Sequence, residues 1–240
     1  MKINVHAGHN QDGKIACGAI GLIKESTEAR KVKDEVIRLL KADGHIVYDC
    51  TCDNGTGQSN VLTNIVSKCN PNKVDIDVSI HFNSGSGDKK GNGQTTGTEV
   101  FLYSASSKAK ETAERVAKEI AALGFKNRGI KYSTSLYFLR TTFAPAMLIE
   151  CCFVDDPDDV AIYDYQSMAR AIAKGIVGHE IKDNAPAKED AESKAQGSET
   201  PTGDNKSIYR VQVGAYSNIN NAINLQKKLK EAGFDAYIAQ

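Results

Sequence analysis

Short apolar runs with the look of strands take turns along the chain with longer runs of helical period. Clusters rich in beta-branched and aliphatic residues stand at "KINVHAG", "HIVYDC", "VDIDVSIHF", "TEVFLY" and "AMLIECCFV". Each is bounded by Gly, Asn, Asp or Pro, which is the signature of strands. Between them, "ESTEARKVKDEVIRLLKADG" places Val32, Val36, Leu39 and Leu40 on one stripe and stops at Gly44. The run "SKAKETAERVAKEIAALG" repeats the design with Ala109, Ala113, Val116 and Ile120 and stops at Gly124; a stripe at this spacing followed by glycine predicts a helix and its end. A further helix near "YQSMARAIAKGIVGHEI" closes this unit around Ile181. Strands alternating with helices predict an α/β fold, a mixed and largely parallel twisted sheet flanked by helices.

After Ile181 the pattern breaks. The stretch "KDNAPAKEDAESKAQGSETPTGDNKS" holds no large apolar residue and is rich in Ala, Ser, Gly, Pro and acids, the composition of a flexible linker over 182–206. From 207 to 240 the alternation returns, followed by a helical stripe of Ala222, Leu225 and Leu229 ending near Gly233 and by a second apolar run. This is one small β-α-β unit. So short a unit buries too little apolar surface to offset its chain entropy, so the tail reads as part of a larger module.

Charge narrows the field. Thirty basic and 30 acidic residues cancel, so bulk charge draws the chain to neither nucleic acid nor an anionic membrane. The N-terminal "MKINVHAGH" has no apolar core of a signal peptide, and no run approaches the roughly 20 apolar residues that span a bilayer. The expectation is a soluble protein, synthesised in the cytoplasm and monomeric. Its six cysteines (Cys17, Cys50, Cys52, Cys69, Cys151, Cys152) are expected to be reduced and to pack as small apolar residues. Cys50 and Cys52 form a C-x-C without the second pair that a zinc site of cysteines needs.

Candidate chemistry collects where apolar elements end. His6 and His9 lie around a glycine in "HAGH" after the first strand, and Glu25 opens a helix in "GAIGLIKES". His81 lies in "VSIHFNSG", and Glu150 ends "AMLIE". In α/β sheets the ends of neighbouring strands converge on one rim, where side chains on stiff elements can meet. Two histidines and one glutamate are a set of three protein donors that catalytic zinc sites use, with one position left open. A carboxylate outside that set can move protons; Glu150 suits this role, because its apolar strand should raise its pKa. Each residue also has a plainer reading. A strand-end histidine often completes a core, and a glutamate at a helix start complements the helix dipole. Glu28, one turn after Glu25, would face nearly the same way. The glycine-rich "NSGSGDKKGNGQTTG" after His81 has too few apolar residues to pack and is expected to form a mobile rim loop bordering the site.

The ordered set "GH", "GLIKE", "SIHFN" and "LIECCFVDDPDD", spread over residues 1–181, resembles the zinc-dependent N-acetylmuramoyl-L-alanine amidases, a group that includes sporulation autolysins and clostridial phage endolysins. The resemblance implies a peptidoglycan substrate and cleavage of the amide between the lactyl group of N-acetylmuramic acid and the L-alanine of the stem peptide. It implies Zn2+ as cofactor, with His9, Glu25 and His81 as ligands and Glu150 as catalytic acid and base. The family pattern reads Asp-Pro-Gly-His where this chain reads His6-Ala7-Gly8-His9, so His6 stands in an aspartate's place, and packing and substrate contact are both open to it. Cys151 and Cys152 stand before Phe153, where family members carry glycine or a small residue. The tail, in "YRVQVGAYSNINNAINLQKKL", resembles the opening half of a SPOR domain, a module whose family binds peptidoglycan glycan strands stripped of stem peptides. The implied place of action is the cell wall, reached after lysis or holin-type release. Metal ligands alone do not choose the scissile bond, which leaves another zinc hydrolase, an exopeptidase or deacetylase, and a non-catalytic wall-binding protein as alternative readings.

Overall fold

The strand-like runs assemble side by side. A computed structural model describes residues 1–182, 219–231 and 236–238 and divides the chain into two units, Met1–Asp183 and Asn184–Gln240. In the first unit the elements run β1 (Lys2–Ala7), α1 (Glu25–Ala42), β2 (Ile46–Asp49), α2 (Gln58–Cys69), β3 (Ile76–Asn83), β4 (Thr98–Leu102) and α3 (Lys110–Ala121). They continue with β5 (Asn127–Tyr132), α4 (Tyr137–Thr141), β6 (Ala146–Phe153), α5 (Pro157–Ile162) and α6 (Tyr165–Val177). The six strands form one sheet in the order β2-β1-β3-β6-β4-β5. The β4–β6 pair is antiparallel and the other pairs are parallel, the mixed, largely parallel sheet that the alternation predicts.

The central strands explain themselves. Strands β3 and β6 are buried along nearly their whole length, as parallel strands covered on both faces must be. One cover is the apolar stripes of α1, α3 and α6, which join Val5, Val78, Ile80, Met147 and Ile149 in the main core. Gly175 lets α6 lie against α3: a Cβ there would come within 2.5 Å of the Val116 Cα. The other cover is a smaller cluster of Cys50, Cys52, Val61, Ile65, Cys69, Phe138 and Leu148, built from α2 and α4. Cys50 and Cys52 belong to it, and all six cysteines are free.

Four regular elements went beyond the apolar pattern, the short helices α4 and α5 among them. The edge strand β5, "NRGIKY", is only partly buried, so it has no alternation to display. Helix α2 buries Val61, Ile65, Val66 and Cys69 at a helical spacing that a run rich in Asn, Ser and Thr obscures. In the second unit, α7 (Ile219–Glu231) carries the expected stripe, with Ala222, Leu225 and Leu229 half-buried. The Gln226 Nε2 donates to the Ala236 carbonyl at 3.0 Å. The linker over 182–206 lies outside the described residues beyond Lys182. So does the first strand expected of the tail, and of the second only 236–238 are described.

Candidate functional site

Parallel register sets the site. On β3 and β6, His81 and Glu150 are direct neighbours, and Glu99 on β4 faces Glu150 from the other side. His9 follows β1 on the same rim, and Glu25 is the first residue of α1. The Nε2 of His9 lies 3.3 Å from Glu25 Oε1, and the Nδ1 of His81 lies 3.0 Å from the same oxygen. One donor atom from each of the three falls within 4.8 Å of the others. The two imidazoles stand edge to face, 4.8 Å between centroids.

This set fits a zinc ion. Bonds of 2.0 to 2.1 Å in a tetrahedron leave donor atoms about 3.3 Å apart, close to the spacings observed. The backbone makes room for the rings as well. A Cβ on Gly8 would sit 1.8 Å from His81 Cε1 and Nε2, and one on Gly18, at φ +82°, would come 2.5 Å from Glu25 Oε2 and 2.9 Å from His9 Cδ2. Glycine is required at both places.

Glu25 is held from several sides. Its Oε2 accepts from the Ala19 amide at 2.8 Å and its Oε1 from the Phe82 amide at 3.2 Å. Burial pushes its carboxyl up, but His81 and His9 outweigh that and hold it well below the usual range, so it is ionised. Burial pushes His81 down, partly countered by Glu25, which favours the neutral imidazole that a metal needs. Glu28 turns elsewhere: it accepts from the Tyr163 hydroxyl at 3.1 Å and from Lys31 at 2.8 Å.

Glu150 has a different environment. Its Oε2 is shielded from solvent and has no hydrogen-bond partner among the described residues. Burial, with Glu25 and Glu99 adding repulsion, pushes its carboxyl up to about 8. It is poised to hold a proton near neutrality, as a general acid and base must.

His6 points into the smaller cluster. It is buried, packs edge-on against Phe138 at 4.6 Å between centroids, and its Nδ1 lies 3.2 Å from the Ala7 carbonyl. Burial, then His81, pushes it down to about 3, so it is neutral. Its Nε2 is buried with no hydrogen-bond partner among the described residues. Cys151 and Cys152 are fully buried, and burial pushes both thiols up, which keeps them protonated and inert.

Several residues shape the site without a sequence signal of their own. Arg30 donates to the His9 carbonyl at 2.7 Å, the Asn10 carbonyl at 3.3 Å, the Cys52 carbonyl at 3.3 Å and Asp53 at 2.6 Å. Buried Asn10 donates to the Ile15 and Gly55 carbonyls and accepts from the Gly55 amide. Together they fix the turn that carries His9. Glu99, behind Glu150, accepts from Asn83 and from Arg128, each at 2.8 Å. Their positions beside "GH", "SIHFN" and "TEVF" were the available hint.

The glycine-rich loop is joined by hydrogen bonds to the run that follows β6. The Gly85 and Ser86 amides donate to Asp155, and the Asn92 and Gly93 amides to Asp158. The Thr96 amide donates to Asp156 and the Gly97 amide to Asp159. A loop without apolar residues is held by carboxylates instead of by packing, all of them from the single run "VDDPDD" after β6.

Comparison with known proteins gives the family. The profile of the N-acetylmuramoyl-L-alanine amidase family matches residues 3–178, and that of the SPOR domain matches residues 191–240. An uncharacterized protein of Clostridium perfringens is 36% identical over 191 residues, covering 77% of this chain and 54% of its own. The N-acetylmuramoyl-L-alanine amidase CwlM of Bacillus licheniformis is 31% identical over 184 residues, covering 74% of this chain and 61% of its own. The chain thus spans a little over half the length of the curated relatives it matches. Among solved structures, the catalytic domain of the CD27L endolysin targeting Clostridia difficile superposes with a TM-score of 0.66 at 26% identity, covering 75% of this chain and 99% of that one. With a profile match over most of its length and the donor residues gathered on one sheet rim, the chain belongs to the N-acetylmuramoyl-L-alanine amidase family.

Proposed function

We propose that the protein is a zinc-dependent peptidoglycan hydrolase, cleaving the amide between N-acetylmuramic acid and the L-alanine of the stem peptide. The observation that carries this reading is the convergence of His9 Nε2, Glu25 Oε1 and His81 Nδ1 beside a carboxyl, that of Glu150, with a raised pKa. His9, Glu25 and His81 would hold the zinc. When bound, zinc supplies Lewis acidity, which polarises the scissile carbonyl and makes water a stronger acid.

The protein's own groups do the rest. Glu150 takes a proton from the attacking water and delivers it to the alanine nitrogen as the carbon–nitrogen bond breaks. Glu25 and His81 stay in fixed orientation because the Ala19 and Phe82 amides hold the carboxylate. The loop over 84–97, tied by Asp155 to Asp159, borders the entrance and gives an extended substrate a firm wall. The site of action is the cell wall, where the SPOR module would hold the chain on glycan.

The deciding experiment is digestion of purified cell wall with and without a chelator, followed by identification of the released ends. New L-alanine amino groups beside intact muramic acid, lost on chelation, are expected. Released acetate or free terminal amino acids would instead assign a deacetylase or an exopeptidase. Binding without any new ends would assign a non-catalytic wall protein.

A further inference from the structure

At the opposite edge of the sheet the molecule repeats its donor chemistry. The catalytic rim lies at the C-terminal ends of the parallel strands, whereas Asp43 and His45 precede β2 and His179 follows α6. With the six residues of β1 between the two edges, they stand about 20 Å apart. At this second place, His45 Nε2 lies 3.1 Å and His179 Nε2 2.8 Å from one and the same oxygen, Asp43 Oδ2. All three donor atoms fall within 4.8 Å of one another, the same limit that the set of His9, Glu25 and His81 meets.

Both clusters therefore have two imidazole nitrogens gathered on one carboxylate oxygen, at similar spacing. The second is also oriented from behind. The Asp43 side chain is 2% exposed, and its other oxygen, Oδ1, accepts from the Lys182 amide at 3.0 Å. The other ring nitrogen of His45 sits 3.1 Å from the α-amino nitrogen of Met1. A backbone amide donating to the far oxygen, as Lys182 does, fixes carboxylate orientation in metal sites. The outer ring, His179, is half exposed, which leaves an open side for a cation to enter and for solvent to complete its shell.

We propose that Asp43, His45 and His179 form a second metal site, for a divalent transition cation such as zinc, separate from the catalytic rim. Two imidazoles and one carboxylate select such cations over calcium or magnesium, which prefer an all-oxygen shell. The site joins the turn between α1 and β2 to the segment that follows α6, just before the first unit ends at Asp183. It acts as a clip on the fold and takes no part in hydrolysis.

The test uses the full chain, stripped of metal, loaded with Zn2+ and freed of excess by dialysis. Elemental analysis of the parent and of His179→Ala should differ by one zinc per chain, whatever the catalytic rim holds. Wall hydrolysis by His179→Ala should stay within about two-fold of the parent. In a His9→Ala/His81→Ala background, added Zn2+ should raise the Tm by about 5 °C, and adding His179→Ala should abolish that rise. Should that background fail to fold, titration of the parent and His179→Ala with Co2+ gives the same one-equivalent difference in visible absorption. Equal metal content in parent and His179→Ala, or a Zn2+ effect on Tm that survives His179→Ala, would show a hydrogen-bonded cluster and overturn the proposal.

Discussion

At the scale of single residues, environment and not residue type separates the roles of the acids. Glu25 and Glu150 share a rim, yet His9 and His81 hold one ionised while burial and two neighbouring carboxylates push the other up to about 8. Glu150→Gln keeps the size and removes the exchangeable proton, so turnover should fall by about 10²- to 10⁴-fold while the zinc content stays that of the parent. Near-parental turnover would remove Glu150 from proton transfer. The same shift makes a claim about stability. Because the Glu150 carboxyl titrates near 8 in the folded chain against 4.5 for a free one, the folded state holds the extra proton between those values. Stability from this group is complete below 4.5 and is lost as the pH rises through 8. Metal-free Glu150→Gln should therefore melt a few degrees above the metal-free parent at pH 8, with the gap closing toward pH 4.5. Gly8→Ala tests the rim sterically: the new Cβ would lie 1.8 Å from the His81 ring, so affinity for zinc, read by competition with a chromophoric chelator, should fall at least about ten-fold. The sequence offers His9, Glu25, His81 and Glu150 as candidates, each where an apolar element meets a polar one, and the fold brings them to one rim. Glu28 opens the same helix as Glu25; the sequence favours Glu25 from its place in "GLIKES", and Glu28 accepts from Tyr163, 135 positions away.

At the scale of elements, strands and helices with a clear apolar stripe announced themselves, while α2, whose stripe lies among Asn, Ser and Thr, and elements held by polar contacts did not. Strand β5 has a weak pattern because it lies at the sheet edge, and the loop over 84–97 has none because its contacts are hydrogen bonds to aspartates. A distant carboxylate that accepts backbone amides leaves no period in the segment it holds. The run after β6 divides this work by depth. Asp159 is fully buried and accepts from the Gly97 and Phe153 amides, whereas Asp158 is half-buried and accepts from the Asn92 and Gly93 amides. Asp159→Ala should cost about 2–4 kcal/mol, since it strands buried donors and removes bonds to an acidic acceptor, and this should appear in denaturant unfolding. Asp158→Ala should leave global stability within about 1 kcal/mol and instead speed protease cleavage between 84 and 94. Equal cleavage rates in Asp158→Ala and the parent would mean that the loop is held by something other than this carboxylate.

At the scale of the whole molecule, the proposed function would divide chemistry from address between the two matched segments. The amidase-family profile ends at 178 and the SPOR profile begins at 191, and the sequence from 182 to 190 is free of large apolar residues. A tether of this composition turns capture on the wall into an intramolecular event, with an effective concentration set by its length. The resemblance of the tail to SPOR modules ties the two halves together chemically, because removal of stem peptides creates the bare glycan that such modules bind. Hydrolysis would then generate the surface on which the chain is retained. With 30 basic against 30 acidic residues, that retention has little bulk charge to draw on, so moderate salt should scarcely weaken it. A chain ending at Asp183 should therefore act on a soluble muramyl peptide with kcat/KM within about two-fold of the full chain. On insoluble wall it should fall behind by about ten-fold or more, and the gap should persist at 0.5 M NaCl. A shortened chain that keeps pace on insoluble wall would deny the tail any part in targeting and leave the rim of His9, Glu25, His81 and Glu150 as the whole of the machinery.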